Sequence, residues 1–346
     1  MRFNGCSYAV RRGAVRRAVV RRPGARPVRR GAALAAGTAV LALLAGSAVA
    51  DSPSAAGRPS SREGHGHAKL RILVSNDDGY RHPYIRQLRD ALRRYGHEVV
   101  IVAPETDQSG RGTGLNFERG ATVRASEAEP GVWSVAGSPG DAVGFGAQYA
   151  FGGRSPDLVV SGVNAGPNSG SLVNHSGTVG ATVAAGDLDI PAVAVSAGMD
   201  LGNPKDPFPS AQRAASFAAR AVERLADTAR GGPLLPRGTS LNINLPARPD
   251  GGVAFTNVGR AAEVTRRFVR EPGGCASCYK VELGVAPSAP ERVPSADTVA
   301  LRRGDAALSL LSADWGVRGW APRDPAPAPS PGEAQKVRAR LLGLHP

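Results

Sequence analysis

Apolar positions along this chain recur in two alternating rhythms. RILVS (71–75), EVVIVAP (98–104), PDLVVSG (156–162), PAVAVS (191–196) and TSLNINLP (239–246) are short apolar runs bounded by turn residues, which predicts buried strands. Between them the spacing becomes helical. Ile85, Leu88, Leu92 and Tyr95 share one face, with Pro83 suited to the first turn. GTVGATVAAGDL (177–188) reads as a small-residue helix, and an Ala-rich helix follows over 210–228. Strands alternating with helices predict an α/β fold, a mostly parallel sheet with helices on both faces, over residues 70–246. Residues 247–320 read as a strand and loop extension without a core of its own. The stretch 321–346 opens with APRDPAPAPSPGEAQ and reads as a disordered Pro-rich tail.

The net charge of +14 over 346 residues suggests an anionic partner such as nucleic acid, until the charge is located. Residues 1–50 hold ten arginines and no acid, so only +4 belongs to the rest. Nucleic-acid binding loses its support there. Arg29 and Arg30 precede GAALAAGTAVLALLAGSAVADS, an apolar segment whose Ala48-Val49-Ala50 stands before a polar restart. That order predicts an export signal over 1–50, cleaved after Ala50. Its richness in Ala and Gly favours cleavage over a membrane anchor. A secreted or extracytoplasmic protein without stable membrane insertion is therefore expected. Residues 51–69 are rich in Ser, Gly and Pro and predict a disordered linker. Cys6 leaves with the signal, and Cys275 and Cys278 remain as CASC. An oxidising compartment makes a short-loop disulfide the first reading. A redox or zinc role lacks a second Cys or His pair at ligand spacing.

Three turns at strand ends carry the candidate chemistry, where ligands bind in an open parallel sheet. In SNDDG (75–79), Asp77 and Asp78 repel unless a cation neutralises them, and hard cations prefer carboxylate oxygen. Gly79 lets the backbone turn sharply enough to aim both acids at one point. A solvated Asx-rich turn explains the same residues equally well. In APETDQSGRGTG (103–114), Ser109 and Thr113 offer hydroxyls and Arg111 a fixed positive charge; a flexible surface loop is the plain alternative. In SGVNAGPNSGSLVNHSGTVGAT (161–182), Asn164 offers an amide oxygen. Ser176, Gly177 and Thr178 open a helix whose amide groups attract anions, with Ser176 also an ordinary cap. His175 is either a proton donor to a leaving group or a bystander, and Asp141 reads as structural. Together, two acids, a hydroxyl and an amide oxygen beside an anion-binding helix end suit metal-assisted phosphate ester hydrolysis.

The ordered set ILVSNDDG, VAPETDQSG, VAGSPGDAV, VVSGVNAGPN, HSGTVGAT, IPAVAVS and LNINLP resembles the SurE survival-protein family of nucleotidases. The resemblance is dense from Leu70 to Leu245 and looser to Trp315. It implies a Rossmann-like domain with a C-terminal extension used in oligomerisation, giving a homodimer or homotetramer. It also implies divalent-metal-dependent release of phosphate from nucleoside 5′- and 3′-monophosphates. By motif, one magnesium or manganese ion falls on Asp77, Asp78, Ser109 and Asn164. Asn168, Ser176, Gly177 and Thr178 match positions lining the phosphate pocket, and Asp77, Asp78 and Asn168 are the catalytic candidates. Arg111, and Ser138 and Ala142 in GSPGDAV, depart from the family's usual pattern. The alternatives are a broad acid phosphatase or exopolyphosphatase, and an exported nucleotide-binding module without turnover.

Overall fold

The computed structural model describes residues 68–275, 277–285, 290–313 and 331–346. The expected signal, the linker as far as residue 67, and 314–330 lie outside the described residues. Within them the elements follow as β1 (Arg71–Ser75), α1 (Pro83–Arg93), β2 (Glu98–Pro104), β3 (Ala125–Glu129), β4 (Val132–Val135), α2 (Pro139–Tyr149) and β5 (Leu158–Ala165). A 3-10 turn (Gly170–His175) leads into α3 (Gly177–Gly186), β6 (Ala192–Ala197), α4 (Ala211–Ala229) and β7 (Thr239–Leu245). The chain continues through β8 (Val253–Thr256), β9 (Val264–Arg270), β10 (Tyr279–Val285), α5 (Asp297–Arg302), β11 (Ala306–Ser312) and α6 (Pro331–Leu341).

The main sheet runs β3-β4-β2-β1-β5-β6-β7-β11-β8. Pairing is parallel from β4 through β7, and antiparallel only at β3–β4 and β7–β11. Because strand side chains alternate, β1 sends Ile72 and Val74 to one face and Leu73 to the other. The first face is covered by α1 and α4, the second by α2 and α3. This is the expected doubly covered α/β sheet. From β1 the chain moves to β2 on one side, and β5 later adds on the other. The order reverses there, so a crevice opens at the carboxyl ends of β1 and β5.

Two expectations about the C-terminal part change. β8 and β11 extend the main sheet rather than forming an appendage, β11 pairing with β7 over Thr239–Asn244. Residues 331–341 are helical, and Val337, Leu341 and Leu344 are buried in the core that α4 shares. Burying such side chains is worth about 1.5–3 kcal/mol each, enough to order a segment that its Pro-rich start makes look unstructured. Arg224 Nε and Arg340 Nη1 fix the helix further, on the carbonyls of Arg340 and of Pro233 and Leu234.

β9 and β10 form a separate antiparallel ribbon, bridged at its tip by the Cys275–Cys278 disulfide. Register places Phe268, Tyr279, Val281 and Leu283 on one face, and all four are exposed. Among the described residues no helix is long and apolar enough to cross a membrane.

Candidate functional site

The β1 strand ends in an Asx turn. Asn76 Nδ2 donates to the Gly79 carbonyl and Asn76 Oδ1 accepts from the Gly79 amide, both at 3.1 Å. Gly79 has φ +100°, which a side chain disfavours, so the turn depends on it. Tyr80 N then donates to the Pro104 carbonyl, tying the turn to the end of β2.

The turn places the two acids differently. Asp77 is almost fully buried and its Oδ1 accepts from the Thr178 hydroxyl at 2.5 Å. The Gly177 amide also donates to this carboxylate. A Cβ at Gly177 would stand 2.7 Å from Asp77 Cβ, so only glycine admits the approach. The anion at the N-terminus of α3 is thus Asp77 itself. Ser176 Oγ accepts from Val179 N and caps the helix. Ser176, Gly177 and Thr178, expected to face a phosphate, spend these groups on the helix and on Asp77.

Asp78 is half-buried, and its Oδ2 is shielded from solvent with no hydrogen-bond partner. Burial, then Asp77 and Asp107, push its carboxyl up to about 7. Asp77 is also raised, again by burial first, against the Thr178 and Gly177 bonds. An orphaned buried carboxylate oxygen beside a second buried acid is what a bound cation would relieve.

The remaining oxygen donors come from neighbouring strand ends. Gln108 N donates to the Asp77 carbonyl at 2.7 Å, drawing the loop after β2 against β1. Ser109 follows, exposed, with its hydroxyl and amide both donating to Asp107 Oδ1 at 2.7 and 2.8 Å. That leaves the hydroxyl lone pairs to accept. β5 runs on to Ala165 rather than ending at Ser161, so Asn164 lies on the strand's last turn of register, beyond an irregularity after Ser161. Its Nδ2 is anchored on the Gly166 carbonyl at 2.7 Å, which leaves Oδ1 as the group able to accept or to ligate. Two carboxylates, a hydroxyl and an amide oxygen are a hard-oxygen set that fits a divalent cation such as magnesium or manganese. Among the described residues no three His, Cys, Asp or Glu converge on one point.

Asn168 is held rather than presented. Its amide donates to Asn244 Oδ1 at 2.8 Å, its Nδ2 to Ser196 Oγ at 3.0 Å, and its carbonyl accepts from Asn242 and Asn244. Asn242, Asn244 and Ser196 are site residues that sequence reasoning missed. The two asparagines stood out as polar residues in the otherwise apolar LNINL run, and Ser196 as the polar end of PAVAVS. Asp107 was missed too, since Asp and Ser two residues apart before a glycine read as ordinary turn chemistry. His175 is exposed at the end of the 3-10 turn. Asp141 closes a capping box with Ser138 and accepts from Asn116.

The pattern of the survival protein SurE family matches residues 72–266. The 5′-nucleotidase SurE of Geobacter metallireducens is 42% identical over 194 residues, covering 55% of this chain and 71% of that protein. The 5′-nucleotidase SurE of Gloeobacter violaceus is 36% identical over 253 residues, covering 71% of this chain and 90% of that one. The crystal structure of the SurE protein from Aquifex aeolicus superposes with a TM-score of 0.56 at 27% identity, over 71% of this chain and 94% of the other. With the matched span running from β1 into β9, the chain belongs to the SurE family.

Proposed function

We propose that the protein is a divalent-metal-dependent phosphomonoesterase that hydrolyses nucleoside 5′-monophosphates, and 3′-monophosphates, to nucleoside and phosphate. The observation that carries this is the buried, unpartnered Asp78 Oδ2 beside Asp77 at the crevice between β1 and β5. The relatives named as 5′-nucleotidases share this part of the chain. Asp77, Asp78, Ser109 and Asn164 would hold one magnesium or manganese ion. Bound there, the ion supplies Lewis-acid polarisation of a phosphoryl oxygen and a lowered pKa for water.

The residues do the rest. Thr178 and the Gly177 amide hold the Asp77 carboxylate in place. Asp107 fixes the Ser109 hydroxyl, and Gly166 fixes Asn164. Asn168, locked by Ser196, Asn242 and Asn244, ties the turn after β5 to β6 and β7 and so braces the crevice. Side chains fixed in this way lower the reorganisation needed as charge develops.

The basic, apolar and small-residue order of 1–50 supports export with cleavage after Ala50. The β9–β10 ribbon supports assembly into a homodimer or homotetramer. Two strands alone are marginal in water, and its apolar face needs a cover.

The test is phosphate release from 5′- and 3′-nucleoside monophosphates, short polyphosphate and p-nitrophenyl phosphate, with Mg²⁺, Mn²⁺ or chelator. Metal-dependent release that Asp77→Asn and Asp78→Asn abolish establishes the reading. Polyphosphate outranking every nucleotide makes the broad phosphatase the better description. Mn²⁺ binding without turnover of any substrate leaves the binding module.

A further inference from the structure

Phe, Trp and Tyr are only 5% of this chain, yet a tyrosine and a phenylalanine stand with a histidine beside the acidic end of β1. His82 and Tyr84 flank Pro83 at the start of α1, just after the Asp77–Asp78 turn. Their ring centroids are 4.8 Å apart at 79°. Phe208, from the loop between β6 and α4, approaches Tyr84 edge to face at 6.4 Å and 80°. The packing of α1 on α4 brings these segments together.

The rings form a rim and not a core. Tyr84 and Phe208 rest against the buried cluster under α1 and α4 without joining it, and all three residues keep partial exposure. The rim is tied to the acidic turn, because His82 N donates to the Gly79 carbonyl at 3.0 Å. After burial, the carboxylates of Asp206 and Asp78 push the Tyr84 phenol up. Asp107 likewise opposes the burial that lowers His82. Rings and acids therefore share one neighbourhood. His82 Nδ1 is shielded from solvent and has no hydrogen-bond partner.

We propose that the His82–Tyr84–Phe208 rim is the platform on which the nucleobase of the substrate stacks while its phosphate sits at the Asp77–Asp78 end. This rests on the phosphomonoesterase reading. Each of the three residues keeps part of its surface exposed, and every base has a π-face to lay against a ring. Stacking tolerates different bases, so the platform binds purines above pyrimidines without reading their edges. The competing place for a base is the recess of about 560 Å³ between the 105–116 loop and α2, whose rim includes Arg111. That recess has no aromatic ring in its lining. Its acids are engaged, Glu105 by Arg124, and Asp141 by Asn116 and Ser138.

The experiment compares adenosine 5′-monophosphate with ribose 5-phosphate, which is the same ester without the base. The ratio of their kcat/KM values is measured for the full chain and for Tyr84→Ala, Tyr84→Phe, His82→Ala and Arg111→Ala. Tyr84→Ala should lower the ratio about tenfold, the loss expected for one stacked base, and Tyr84→Phe should restore it. A ratio within twofold of wild type in both Tyr84→Ala and His82→Ala overturns the proposal. So does a collapse of the ratio in Arg111→Ala alone. If wild type hydrolyses neither ester, the phosphatase reading fails by itself. Equilibrium titration of both esters then decides the platform: tighter binding of the nucleotide that Tyr84→Ala removes supports it, and equal binding refutes it.

Discussion

Replacing Asp78 by asparagine in chelator-treated protein isolates the electrostatic cost of the paired acids. The folded Asp78 carboxyl titrates at about 7, against 3.8 when unperturbed. Between those values the folded chain keeps a proton that the unfolded chain has released. Stability therefore falls as pH rises from about 4 to about 7, and stays reduced above. At about 1.36 kcal/mol per pH unit, the whole cost is about 4 kcal/mol. Asparagine carries no charge, and Asp78 Oδ2 has no hydrogen bond to lose. Asp78→Asn should thus be more stable than wild type by about 2–4 kcal/mol at pH 8, with the advantage gone near pH 4. Urea unfolding followed by circular dichroism, in chelator at pH 4, 6 and 8, reads the difference. Repeating it with Mn²⁺ should stabilise wild type and leave the variant unchanged. A variant less stable than wild type at pH 8 in chelator, or one whose advantage persists at pH 4, refutes the reasoning.

Other consequences follow from single contacts. Thr178→Val removes the buried donor to Asp77 and should cost about 1.5–3 kcal/mol in urea unfolding, while weakening Mn²⁺ binding in a direct titration. Asp297 is fully buried and accepts from the amides of Gly170, Gly259 and Thr298. Asp297→Asn turns one acceptor into a donor facing those amides and should cost about 1–3 kcal/mol, with faster hydrogen exchange at Gly170 and Gly259. Phe268→Asp combined with Leu283→Asp places charge on the exposed ribbon face. Sedimentation velocity should then show a smaller assembly, and an unchanged distribution would move the interface elsewhere.

Much of the sheet was legible because its central strands are buried on both faces. β1, β2 and β6 are nearly unbroken apolar runs and β7 alternates Leu and Ile with Asn, and the bounds of all four shift by a residue or so. The β3–β4 hairpin was not, since β3 reads ASEAE and lies exposed at the sheet edge, where no apolar rhythm is needed. The helix α2 hid behind Gly140, Gly144 and Gly146, which weaken helix propensity. Gly146 is there for packing, as a Cβ would strike Leu73 and Val102. At the site, the Asp77–Asp78 turn announced itself by like charges in an apolar setting. The supports did not. Asp107, Ser196 and the Asn242–Asn244 pair act through distances that only the folded sheet creates. The rim of His82, Tyr84 and Phe208 likewise joins residues far apart in the chain.

The helix α6 has a bearing on how the molecule is made. Its Leu341, with Leu344 just beyond, belongs to the same buried cluster as Ile72 of β1 and Leu225 of α4. Synthesis delivers β1 first and α6 only after every strand of the sheet has been made. Until then part of the α4 surface stays open and apolar, a face that nascent-chain binders and neighbouring chains can reach. Closure of the core is thus a late event, coupled to the arrival of the C-terminal helix.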